Sequence, residues 1–100
     1  MDSLRLDKWL WFARLCKSRS QAQHLIEKGE VLVNARPAAK PSLPVAPGDE
    51  VILPLGRRRR RLIVLALADR RGPAPEARML FEDLDPPPMV LPDDPLAGFS

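Results

Sequence analysis

A helical period of apolar residues starts at the N-terminus and is cut once, at Ser18, and that cut limits the folds open to the chain. Leu6, Trp9, Leu10, Ala13 and Cys16 recur at spacings of three and four, the repeat of one helical face. Ser18-Arg19-Ser20-Gln21 then has the S-x-x-Q form of a capping box. In such a box the Ser18 hydroxyl accepts from the Gln21 N–H and the Gln21 side chain returns to the Ser18 N–H. The pattern predicts a first helix over residues 4–16, ending near Lys17, and a separate second one behind Ser18. Ala22, Leu25 and Ile26 form its apolar face, and Gly29 stands where a left-handed residue closes a helix.

Beyond Gly29 the period changes. Val31-Leu32-Val33 is strand-like, Asn34-Ala35 is a tight turn, and Arg36-Pro37-Ala38 returns antiparallel. Pro37 has no N–H to give to a ladder, so that return is an edge. Pro41, Pro44 and Pro47 keep the chain extended up to a Pro47-Gly48-Asp49 turn, which leads into a strand from Glu50. A further strand is expected over 62–67. Between the two lie Gly56 and five consecutive arginines, Arg57, Arg58, Arg59, Arg60 and Arg61, which read as the charged tip of a hairpin. Pro73 and Pro75 suit a first helical turn and predict a short C-terminal helix over 73–84. Residues 85–100 hold five prolines and no base, the composition of an extended or flexible acidic tail. The expectation is an α+β fold, two N-terminal helices on a small, mainly antiparallel sheet with a short C-terminal helix, forming one domain over 1–84 with the tail behind it.

Charge is divided unevenly along this frame. Residues 1–78 carry all 16 basic side chains and 8 acidic ones, a net of +8, whereas residues 79–100 carry 5 acids and no base. Such asymmetry points to a polyanionic partner, with the tail competing weakly for the basic face in a way that salt screens. A single cysteine forms no internal disulfide, and Cys16 with the lone His24 is too small a set for a zinc site. The apolar run over 62–68 is far short of the ~20 residues of a membrane-spanning helix, and the N-terminus lacks the apolar core of a signal peptide. These features predict a reduced, cytoplasmic monomer without metal, cofactor or membrane role.

Catalytic constellations are missing from the pattern. Ser20 and His24 fall at i, i+4, but there is no G-x-S-x-G elbow and no aspartate marked to orient the histidine. No P-loop, G-x-G-x-x-G or H-E-x-x-H occurs, and the adjacent acids of Asp49-Glu50 and Glu82-Asp83 point apart on a strand or helix. No enzymatic activity is expected.

The bases, in contrast, gather. Arg5 and Lys8 lie one turn apart on the first helix and Lys17 at the junction. Arg19 sits in the first turn of the second helix, where a cation opposes the helix dipole unless an anion is near. The N–H groups of that helix start, flanked by Lys17 and Arg19, make a seat for phosphate, and Arg36 and Lys40 follow on the hairpin side. The arginine run is either a solubilising tip or a nonspecific phosphate contact, open to DNA as well as RNA. Trp9 belongs to the core stripe. Trp11, about 200° further round, is either covered by the sheet or C-terminal helix or free to stack on a base.

Three segments together are familiar: Arg5-Leu-Asp-Lys-Trp-Leu-Trp11, Lys17-Ser-Arg-Ser-Gln-Ala22 and Leu25-Ile-Glu-Lys-Gly-Glu-Val-Leu-Val-Asn34. In this register they resemble the αL RNA-binding domain named after ribosomal protein S-four, over about residues 4–54. The tryptophan-bearing first helix, with Arg70-Arg-Gly-Pro-Ala-Pro-Glu-Ala77 and Leu80-Phe-Glu82, is similar to the bacterial ribosome-associated heat-shock proteins of fifteen kilodaltons. The resemblance implies noncatalytic binding of structured ribosomal RNA on the large ribosomal subunit, in the recycling of stalled subunits. Its RNA face would comprise Arg5, Lys8, Lys17, Ser18, Arg19, Asn34, Arg36 and Lys40. The chain departs from the family in placing Ala35, not glycine, after the hairpin asparagine, so a turn needing positive φ there is either strained or of another type. A general nucleic-acid binder driven by the arginine run is the competing function.

Overall fold

The computed structural model describes residues 2–84; the tail expected over 85–100 lies outside them. The short strand β1 (Leu4–Arg5) runs straight into helix α1 (Leu6–Phe12), followed by α2 (Arg19–Glu27). Strands β2 (Leu32–Val33), β3 (Arg36–Pro37), β4 (Pro44–Val45), β5 (Glu50–Leu55) and β6 (Arg58–Val64) come next. A single helical turn, α3 (Ala74–Ala77), continues through a 3-10 turn at Arg78–Leu80 into β7 (Phe81–Asp83). β1 pairs with β4, and a five-stranded antiparallel sheet has the order β3-β2-β5-β6-β7. The return strand carrying Pro37 is an edge, as its missing N–H requires.

α1 is shorter than its apolar period at both ends. Arg5 is its extended N-cap residue, already paired to Pro44, and not a helical residue. At the other end Arg14 takes a left-handed φ of 60°. The Leu15 N–H reaches back to the Leu10 carbonyl at 3.0 Å and the Arg14 N–H to that of Trp11 at 3.1 Å. This is the closure that normally uses glycine; here the Arg14 guanidinium, donating to the Gly72 carbonyl at 2.8 Å, holds it. α2 closes the same way with the expected Gly29, at φ 76°.

Three other expectations are corrected. The arginine run is not a loop tip: Gly56 and Arg57 make the turn, and Arg58–Val64 is strand, in register with β5 because Ile52, Leu53, Pro54 and Leu55 offer it a ladder. Strand β6 ends at Val64, not at residue 67, because Leu65 and Ala66 turn their N–H groups to the single carbonyl of Leu80, at 2.8 and 3.2 Å. The helix over 73–84 is one α turn and a 3-10 turn; residues 81–83 extend instead along the free edge of β6, which puts Phe81 edge-on to Trp9 at 6.5 Å.

The helices cover one face of this sheet. Leu6, Trp9 and Leu10 of α1, Ala22 and Ile26 of α2, and Val51, Leu53, Leu62 and Val64 of the sheet are buried together, at about 1.5–3 kcal/mol for each large side chain removed from water. The Trp9 indole N–H donates to the Ala66 carbonyl at 3.1 Å, which satisfies the buried donor and pins α1 to the end of β6. Trp11 is half-buried and packed against the core, leaning on Phe12 at 5.6 Å with the Arg71 guanidinium 5.5 Å from its ring. Among the described residues no helix is long and apolar enough to cross a membrane.

Candidate nucleic-acid interface

The site is organised by a residue that sequence reasoning passed over. Asp7, in the first turn of α1, is fully buried. Arg5 donates to both its oxygens, Nε at 2.7 Å and a terminal nitrogen at 2.9 Å. The Lys8 N–H and Gln23 amide add bonds of 2.8 and 2.9 Å, and Arg19 reaches it at 3.4 Å. Burial by itself raises the carboxyl pKa, but the hydrogen bonds from Arg5, Gln23 and the Lys8 N–H outweigh it and hold the group below its ordinary value. A buried carboxylate so placed fixes two arginines that remain more than a third exposed. The sequence signal was a lone acid within Arg5-Leu-Asp-Lys8; its partners Arg19 and Gln23 lie on another helix, at a separation no periodicity reveals.

Asp7 also answers the question raised by Arg19. The anion beside this cation at the start of α2 is supplied by the fold itself. The Ser18 hydroxyl accepts from the Gln21 N–H at 3.0 Å as expected, but the Gln21 side chain accepts from Lys17 N–H at 2.7 Å, one residue earlier than a standard box. Capping thus uses the Gln21 N–H and leaves those of Arg19 and Ser20 directed out of the helix end. α1 has no such opening, because its first N–H groups are taken by the carbonyls of Leu43 at 2.8 Å and Pro41 at 3.1 Å. Those two bonds hook the segment bearing Lys40 onto the start of α1.

The hairpin completes the surface. Asn34 and Ala35 both have positive φ, 51° and 69°. The Asn34 side chain braces the turn, its oxygen accepting from the Glu50 N–H at 3.0 Å and its amide donating to Asp49 at 3.2 Å. Arg36 emerges beside an open concavity of ≈ 560 Å³ walled by Val33, Pro37, Leu43 and Pro44. The structure therefore brings Arg5, Lys8, Lys17, Ser18 and Arg19 together at the helix junction, with Lys40 hooked to it and Asn34 and Arg36 on the neighbouring turn. The arginine run lies elsewhere. Among the described residues no carboxylate pairs with Lys8, Lys17, Arg36 or Lys40, and no group of three His, Cys, Asp or Glu could hold a metal ion. Cys16 is buried, and burial pushes its thiol up to about 11.

Comparison with known proteins agrees with this architecture. The S4 domain model matches residues 4–51. A heat shock protein 15 homolog of Haemophilus influenzae is 42% identical over 82 residues, 82% of this chain and 62% of that protein; the matched stretch is thus under two thirds of its length. An RQC P-site tRNA stabilizing factor of Listeria innocua is 43% identical over 54 residues, 54% of this chain and 58% of that one. Among solved structures, a trimeric Vibrio cholerae heat shock protein 15 superposes with a TM-score of 0.78 at 39% identity, covering 84% of each chain. Sequence and fold agree over most of the described residues, and the chain belongs to the heat shock protein 15 family of S4-domain proteins.

Proposed function

We propose that the surface formed by the α1–α2 junction and the β2–β3 turn binds structured RNA, without catalysis, and that the RNA is ribosomal, on a large subunit left blocked when translation stalls. The observation that carries this is the buried Asp7 carboxylate, which fixes Arg5 and Arg19 beside the open N-terminus of α2, while no carboxylate among the described residues pairs with Lys8, Lys17, Arg36 or Lys40. Arginines fixed in place suit phosphates in a fixed arrangement, and A-form RNA is recognised through such shape more than through its narrow major groove. The names of the relatives, a heat shock protein and a factor stabilizing tRNA in the P site, support a ribosomal setting in the cytoplasm. Co-sedimentation with separated small subunits, large subunits and assembled ribosomes tests the reading, with Arg19→Ala alongside. Retention on large subunits at near-physiological salt, lost in the variant, is expected. Equal, salt-labile binding to every particle, indifferent to the substitution, would leave a general polyanion binder.

A further inference from the structure

The arginine run is the strongest charged feature that this surface leaves unused. β2 pairs with β5 only at Val51 and Ile52, and β7 with β6 only at Leu62, Ile63 and Val64. Among the described residues, 53–60 therefore have ladder partners only within their own hairpin, a two-stranded ribbon that runs out beyond the β2 and β7 pairings. Strand alternation places Arg58 and Arg60 on one face of the ribbon and Arg59 on the other. Their cross-strand partners are Leu55, Leu53 and Pro54, none of them acidic. Arg60 is paired with Asp83 at the root, but among the described residues no carboxylate pairs with Arg57, Arg58 or Arg59, all of them exposed. A loop would let these like charges spread apart, whereas the ladder holds Arg58 and Arg59 at fixed spacing and the tight turn keeps Arg57 beside them.

The ribbon is separate from the interface already described. Asn34 is bonded to Glu50 at the start of β5, and the ribbon turns after Leu55, five residues on by the register, or about 17 Å along an extended strand. A phosphate seated at the Asn34–Arg36 turn is out of reach of Arg57 and Arg58. A single RNA that meets both must be long enough to span them.

We infer that the tip of the β5–β6 ribbon is a second RNA contact, in which Arg57, Arg58 and Arg59 grip phosphates from both faces of the ribbon without reading bases. The inference rests on the RNA reading above and adds a clamp to it: the helix junction positions the RNA and the ribbon holds the backbone further along. The test compares wild type, the triple variant Arg57→Ser/Arg58→Ser/Arg59→Ser, Arg19→Ala and their combination. Each is titrated at several salt concentrations against a long RNA stem-loop, a short stem-loop that fits one surface at a time, and a DNA duplex of matching sequence. On the long RNA the triple variant should lower the slope of log affinity against log salt by about 2–3, at roughly 0.7–0.9 per lost contact, and should do so equally in the Arg19→Ala background. On the short RNA its effect should shrink. An unchanged slope on the long RNA, with Arg19→Ala still weakening binding, overturns the ribbon and leaves the junction; an equal loss on the DNA duplex overturns the assignment to RNA. The substituted side chains are exposed and self-repelling, so the variant should melt no lower than wild type, and a marked fall would refute the ribbon as described.

Discussion

Replacing Asp7 by alanine removes the one carboxylate on which the helix junction converges. Its loss leaves the Arg5 fork, the Gln23 amide and the Lys8 N–H without their acceptor. Breaking a buried pair by removing one partner costs about 3–5 kcal/mol. Here both arginines keep more than a third of their side chains in water and recover part of their solvation, so the expected loss is about 2–3 kcal/mol. For a domain of this size that is a fall in melting temperature of roughly 10–20 °C. The sign of the pH dependence follows from the lowered carboxyl pKa. The unfolded chain, with an ordinary value of about 3.9, binds the proton before the folded one does, so the contribution is complete above that value and is lost as pH falls through the lower folded value. Urea unfolding from pH 7 down to the acid limb should therefore show a gap between wild type and Asp7→Ala that narrows only below about pH 4. A cost under about 0.5 kcal/mol at pH 7, typical of an exposed pair, or a gap that stays constant into acid, would refute the argument that this buried carboxylate holds the junction together.

Three further outcomes are expected. Ala35 at φ 69° sits where a side chain costs about 1–2 kcal/mol; after the greater chain entropy of glycine, Ala35→Gly should raise stability by about 0.5–1 kcal/mol, read as a higher urea midpoint. The Cys16 thiol, pushed up to about 11 by burial, holds its proton more tightly folded than unfolded, so its contribution is complete below its ordinary value of 9.0 and is lost as pH rises toward the folded value, about 2–3 kcal/mol in all. Cys16→Ala should lose that alkaline decline, and a thiol-reactive dye should label the native protein only as fast as it opens. Deleting residues 85–100, which carry three acids and no base, should tighten RNA binding at low salt and change nothing at high salt; equal affinities at low salt would dispose of tail competition.

Where the sequence was legible, a local signal and the tertiary fold agreed. The Ser18 cap, the Gly29 closure and the Pro37 edge each follow from one residue's own chemistry, and each stands in the structure. The apolar period overextends the first helix because the helix end is set by Arg14, a residue with no preference for left-handed φ, held there by a bond to Gly72 far along the chain. The C-terminal helix failed for a similar reason: the free edge of β6 recruits residues 81–83 as a strand, whatever their local pattern. Like charges by themselves favour a loop for the arginines, yet the two-residue turn after Leu55 commits Arg58–Arg61 to the ladder.

The candidate site was legible as a set of bases and illegible as an arrangement, and Asp7→Asn separates the two. The substitution keeps the side chain's shape and raises the net charge by one, so a surface acting through charge alone would bind RNA more tightly. It also turns N–H groups toward the Arg5 fork and withdraws the anion beside Arg19, so a surface acting through positioned guanidiniums would bind more weakly despite its added charge, most clearly on structured RNA. Affinity measured well below the variant's melting temperature decides between them. Tighter binding at low salt would mean that Asp7 serves the fold alone; weaker binding with an unchanged salt slope would mean that the same phosphates are met, but by arginines no longer held in place for them.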